Sequence, residues 1–344
     1  MLESLAIPIV GAPLAGGAST PALAAAVSEA GGLGFVATGY RTPEAMSEDI
    51  AATRALTARP FGVNVFLVTP TEVDPAALAA FRAALGEGAG EPRSDDDGFT
   101  AKLERLLADP VPVVSFTFGC PEPALVERLR AAGSAVWVTV TDVAEAREAA
   151  AAGADALVVQ GHEAGGHRGA FVDEGPGDIG LLALLQLVAA AVPGLPLVAT
   201  GGIATGRAVA AVLAAGAAAA QLGTALMRTP EAATSQVHRE ALAAPGRTAV
   251  TRAFTGRSAR GIVNAFMREH DADAPHAYPA VHHMTAPLRS RAREQGDAES
   301  LHLWAGQAHE LIDDRPAGDL VRELHADALA AAAEAHARLS RDAT

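Results

Sequence analysis

Eight short apolar runs, each closed by turn residues and spaced to leave room for a helix, constrain the fold of this chain most. They span residues 6–11, 34–38, 62–67, 111–118, 135–140, 156–160, 196–200 and 218–222. Runs that are apolar throughout, rather than alternating, belong to strands covered on both faces, the habit of parallel sheets. Helix starts sit between them. Thr20-Pro21 supplies a cap and a first-turn proline before ALAAAVSEA, and Thr42-Pro43, Thr141-Asp142 and Thr205 open further helices. Eight strands alternating with helices predict an α/β chain folded as a (β/α)8 TIM barrel, with a doubly wound open sheet as the alternative.

Two stretches break the period. Residues 68–109 exceed one helix and its turns, and carry the acidic segment GEGAGEPRSDDDG, which reads as a flexible tip. Residues 228–309 show short helical and loop-like pieces but no strand series. The expected division gives 1–70, 106–227 and 310–344 to the barrel. It gives 71–105 and 228–309 to a smaller, mostly helical lobe over the active-site end. Residues 319–341 read as a final amphipathic helix packed on the barrel.

Composition narrows the function classes. With 50% hydrophobic and 19% charged residues among 344, the chain can bury a large core and is not of disordered type. A formal charge of −14 opposes nucleic-acid binding, which draws on clustered Lys and Arg. Cys120 is the single cysteine, so no internal disulfide can form, and a reducing cytoplasm is the expected setting. The start MLESLAIPIV lacks the basic region of a secretory signal. Prolines, glycines and alanines interrupt the uncharged stretches 179–206 and 209–227, so neither reads as a membrane span. A cytoplasmic monomer or homodimer without membrane or nucleic-acid partners is expected.

The chemistry is expected at the C-terminal ends of the strands. There the sixth run, DALVVQ, opens into GHEAGGHRG at 161–169. Glycines in this turn would let the backbone approach a flat ligand, and His167 is the candidate acid–base group. ATGGIATG (199–206), with Gly201 and Gly202, and QLGTALM (221–227), with Gly223 and Thr224, follow the seventh and eighth runs, where barrels commonly bind phosphate. Asn64 interrupts an apolar run and Gln160 ends another, so the set outlines a mononucleotide across the barrel mouth. His162 is read as structural. His162 and His167 are spaced wrongly for a helical zinc pair, and no metal site is expected. The only lysine, Lys102, is placed by the sequence at the far end of the barrel, which argues against Schiff-base chemistry.

The segments GAPLAGGAST, GGLGFVATGY, FGVNVF, VSFTFG, VVQGHEAGGHRG, PLVATGGIATG and QLGTALM, in that order, resemble the nitronate monooxygenases. AFTGRSARGIVNAF, YPAVHHMTAPLR and LWAGQ resemble the bacterial class I branch of that family. The resemblance runs from about residue 6 to about residue 335. It implies FMN in a TIM barrel with a helical second domain. The implied FMN contacts are Asn64, Gln160, Gly165, Gly202, Gln221, Leu222, Gly223 and Thr224, and the implied base is His167. The implied reaction is oxidative denitrification of an alkyl nitronate such as propionate 3-nitronate with O2, giving a carbonyl compound and nitrite. Leu14 departs from the family pattern, which usually has methionine beneath the flavin; the swap nearly conserves volume. The alternative is an NADH-dependent flavin reductase of the same superfamily, an enoyl-acyl-carrier-protein or quinone reductase.

Overall fold

Each apolar run becomes a strand because the barrel interior covers one of its faces and a helix layer covers the other. The computed structural model describes residues 2–68, 73–173 and 177–340. Its strands in chain order are β1 (Ile9–Gly11), β2 (Gly34–Ala37), β3 (Phe61–Phe66), β4 (Val113–Thr117), β5 (Ala135–Val140) and β6 (Ala156–Gln160). Then follow β7 (Gly166–His167), β8 (Leu197–Thr200), β9 (Ala219–Leu222), β10 (Thr248–Thr251) and β11 (Ala259–Ile262). Eight of them form one parallel sheet in the order β1-β9-β8-β6-β5-β4-β3-β2. A bridge between Val10 and Leu33, with Gly11 N–H donating to the Leu33 carbonyl at 2.9 Å, joins the two ends. The sheet is therefore a barrel, and the open-sheet alternative is set aside.

Local signals start the helices where expected. Thr20, Thr42, Asp142 and Thr205 each cap a helix by accepting a backbone N–H from the first turn. Ala317–Leu339 forms the last helix and packs on Gly206–Ala214 and Pro21–Glu29. Its expected terminus, Arg341, and positions 69–72 near the head of the insertion lie outside the described residues.

Strand alternation then sorts the core. Val10, Phe35, Val113, Trp137, Val158 and Val198 fill the barrel interior. Their neighbours, such as Ile9, Val138, Leu157 and Val159, face the helices and meet Leu184, Leu185 and Val209. Continuing the same alternation toward the C-terminal ends, the inward positions turn polar: Asn64, Thr117, Thr139, Gln160, Thr200 and Gln221. Register holds this ring level, pairing Gln160 with Thr200 and Thr200 with Gln221.

Over that end lies a lobe containing helices Pro75–Leu85, Gln236–Ala243, Ala265–His270 and Ala280–Gln295. It also contains strands, which corrects the expectation that 228–309 has none. β10 and β11 pair antiparallel, and β11 pairs with β7, the glycine turn itself. Both are four residues long and mixed in polarity, TAVT and ARGI, so no apolar run marks them. They pair with each other across a short connection, and only β7, the other partner of β11, comes from a distant part of the chain. Apolar packing of Phe81, Phe254, Phe266 and Met284 supplies the lobe core.

Two further expectations are revised. The acidic segment is docked on the lobe: Gly90 N–H donates to the Met284 carbonyl at 2.8 Å, and Asp95 lies 2.8 Å from His283 Nε2. Lys102 is at the site end of the barrel. It stands in the first turn of helix Phe99–Ala108, and that helix runs back down the barrel toward the start of β4. Its ammonium is sealed, donating to the Thr38 carbonyl at 2.8 Å and pairing with Asp97 at 2.6 Å. It does not line the cavity, and this sealing withholds it from Schiff-base chemistry.

Candidate active site

A cavity of about 540 Å3 opens between the polar ring and the lobe, within the range of small-molecule sites. Of the expected residues, Asn64, Gln160, Gly165, His167, Gly201, Gly202, Gln221, Gly223 and Thr224 line it. Leu222 does not: its side chain is fully buried in the core between barrel and helices, and its carbonyl accepts from Ala12 N–H at 2.8 Å.

The ring residues hold one another. Asn64 Nδ2 donates to Ser115 Oγ at 2.9 Å and to Thr117 Oγ1 at 3.0 Å. Gln160 spans the glycine turn, its Nε2 donating to the His167 carbonyl at 3.0 Å and its Oε1 accepting from Gly169 N–H at 2.9 Å. Thr224 Oγ1 accepts from Gly306 N–H at 3.0 Å. Gly201 and Gly202 have φ of +118° and +68°, a pair of conformations that residues with a Cβ rarely adopt. The need for glycine at 165 differs from expectation. A Cβ there would lie 2.4 Å from Gly306 N and 2.5 Å from Ala305 C, so the close approach is of chain to chain.

His167 is set by β7, whose pairing with β11 opposes it to Ala259. The rings of Phe118, Tyr278 and Trp304 surround it at centroid distances of 5.7, 5.8 and 5.6 Å. Burial, helped by the positive charge of Arg257, pushes its pKa down to about 3, so the imidazole is neutral. Nε2 lies 3.0 Å from Thr255 Oγ1. His162 points the other way, its Nε2 2.7 Å from Arg260 Nη2, which ties the turn to β11.

The lobe adds groups that no strand-end pattern could mark. Helix Ala280–Gln295 carries His282 and Arg289 to the cavity wall. Arg289 is buried, donating from Nε to Thr285 Oγ1 at 3.0 Å and from Nη2 to the His282 carbonyl at 2.8 Å. No carboxylate among the described residues pairs with it, and burial lowers its pKa to about 10, leaving it charged at neutral pH. His282 stacks on Tyr40 at 4.2 Å, and Tyr278 donates its hydroxyl to Tyr40 at 3.2 Å. Thr117, Thr139 and Thr200 were findable from sequence, since each is an inward polar residue at the end of an apolar strand.

The site thus combines two loops rich in backbone donors, a neutral imidazole and an unpaired cation. Known proteins share its frame. Residues 1–327 match the family model described as nitronate monooxygenase. A nitronate monooxygenase of Pseudomonas aeruginosa is 43% identical over 92% of this chain and 95% of its own. That of Paraburkholderia phytofirmans is 39% identical over 92% and 91%. The nitroalkane oxidase structure from Streptomyces ansochromogenes superposes with a TM-score of 0.93 at 50% identity, covering 98% of this chain and 99% of its own. FabK from Thermotoga maritima gives 0.77 at 30% identity, covering 98% and 96%. Together these likenesses support an enzyme that oxidises nitronates, which are small molecules. No described helix is long and apolar enough to cross a membrane. Matched along nearly its whole length, the chain belongs to the nitronate monooxygenase family and is an oxidoreductase.

Proposed function

We propose that the chain binds FMN across the barrel mouth and oxidises alkyl nitronates of the propionate 3-nitronate type with O2, yielding a carbonyl compound and nitrite. The observation that carries this reading is one cavity bringing His167 and Arg289 together with the two glycine loops after β8 and β9. The residues fit the cofactor. The left-handed Gly201-Gly202 pair and the Gly223-Thr224 turn form a concavity of the kind that holds a phosphate without a cationic side chain. Asn64, Gln160, Gly165 and Gln221 would meet the rest of the group, with Leu14 in the apolar wall. Leu222 would contribute only through packing. When bound, FMN supplies the electron transfer between nitronate and oxygen.

The protein's own part is to bind, orient and exclude water. A nitronate is an anion, and Arg289, hydrogen-bonded to Thr285 and His282, offers a charge that no carboxylate among the described residues neutralises. His167 is neutral and so has a ring nitrogen able to accept a proton from a nitroalkane presented in its un-ionised form, and the nitronate charge formed in the same step counters the burial that weakens it as a base. The surrounding aromatic rings keep that transfer dry.

Purified protein should show a flavin absorbance band that bleaches on anaerobic mixing with propionate 3-nitronate. His167→Asn should retain FMN and lose nitroalkane turnover by roughly a hundredfold or more, the scale of a general base; unchanged turnover rejects the assignment. The second reading is the NADH-dependent flavin reductase of the same superfamily. Steady-state NADH oxidation separates the two, and the first reading requires almost none. A cytoplasmic monomer or homodimer is part of the proposal.

A further inference from the structure

Thr255 has a single hydroxyl hydrogen and several possible partners. Its Oγ1 lies 3.0 Å from His167 Nε2 and 3.2 Å from the Arg257 carbonyl, with Arg257 N–H at 3.4 Å. The turn that holds it cannot relax easily. Gly256, with φ of +77°, packs so that a Cβ would lie 2.7 Å from Ala277 C. Thr255 and Gly256 N–H both donate to the Arg252 carbonyl, at 3.2 and 2.8 Å. The Arg257 guanidinium is anchored on the Arg168 and Ala170 carbonyls. The Arg257 carbonyl is therefore fixed, and among the described residues Thr255 is its only donor.

Two proton arrangements are open to this chain of groups. In one, Thr255 donates to Arg257, so Nε2 must carry the ring proton and donate to Thr255; every polar hydrogen has an acceptor. In the other, Thr255 donates to Nε2. That strands the Arg257 carbonyl and points an Nδ1 proton into the cavity without a protein acceptor. Buried polar groups left unpaired are the costly ones, so the first arrangement is better by a hydrogen bond at each end. Nδ1 makes no hydrogen bond to the described residues and is not among the atoms sealed from the cavity.

We propose that Thr255 is a positioning residue that locks His167 as the Nε2–H tautomer, making Nδ1 the atom that takes the substrate proton. Resting on the nitroalkane reading above, the step balances simply. The α C–H bond breaks, its proton joins Nδ1, and its electron pair enters the C=N bond, leaving negative charge on the nitro oxygens beside Arg289. The resulting imidazolium keeps its Nε2–H on Thr255. A substrate arriving already as the nitronate does not need this step, so the tautomer lock matters for neutral nitroalkanes in particular.

The experiment uses holoenzyme labelled with 15N-histidine, the His167 signals being identified by their loss in His167→Asn. Wild type and Thr255→Ser should show Nε2 protonated and Nδ1 bare. Thr255→Val should show mixed tautomers. It should also lower kcat/KM for a neutral nitroalkane at least tenfold more than for the preformed nitronate, with Thr255→Ser recovering most of the loss. A wild-type Nδ1–H signal overturns the proposal, as does equal loss on both substrates. Should Thr255→Val fail to fold, the wild-type spectrum alone decides. An enzyme inactive on both substrates counts against the nitronate reading, while the tautomer is still read by NMR.

Discussion

Gly202 stands between fold and function at the scale of one residue. Its φ of +68° costs an L-residue about 1–2 kcal/mol, and a Cβ there would lie 2.9 Å from Glu163 Cβ. Gly202→Ala should therefore lower the melting temperature of the apoprotein and weaken FMN binding at least tenfold in a fluorescence titration. Unaltered FMN affinity would remove this loop from the phosphate site. Asn64, Gln160 and His167 were legible in sequence because a polar residue inside or just after an apolar run stands out. Arg289 and Thr255 were not. Both fall in segments that carry the family resemblance, but residue order gives neither a role; their meaning comes from the lack of a paired carboxylate among the described residues and from an imidazole 88 residues away.

At the scale of elements, the two-residue strand β7 matters most. It turns a glycine loop into the edge of the lobe sheet, so barrel and lobe fix His167 jointly. The insertion works in the same way. Asp97 accepts from Tyr40 N–H at 2.8 Å while pairing with Lys102, and Tyr40 in turn stacks on His282. Lys102→Met leaves a mostly buried carboxylate uncompensated and should cost about 3 kcal/mol in urea unfolding. Adding Asp97→Asn should return part of it, and additive losses in the double variant would disprove the pairing. The eight barrel strands were readable because each carries its own apolar run. β10 and β11 were hidden because their partners, rather than their composition, make them strands.

For the whole molecule, burial of histidines ties stability to pH. His167, His238 and His282 are lowered from 6.5 to about 3, about 4 and about 2, in each case chiefly by burial. Below pH 6.5 the unfolded chain therefore binds protons that the folded chain refuses, and stability falls as pH falls. The loss continues until each folded pKa is reached. Each group contributes up to about 1.4 kcal/mol per pH unit across its window. The urea midpoint should be clearly lower at pH 5 than at pH 7, and equal midpoints would show that these histidines titrate normally.

Strand burial, capping and left-handed turns are short-range consequences of local residue order, so the barrel, its helix starts and the glycine loops could be read from the chain alone. Folding was needed to show that His167 is neutral, that Arg289 has no counter-charge among the described residues, that Leu222 faces the core and that Lys102 is sealed beside the site. Desolvation and charge pairing are sums over groups brought together from distant elements, so no local pattern encodes them.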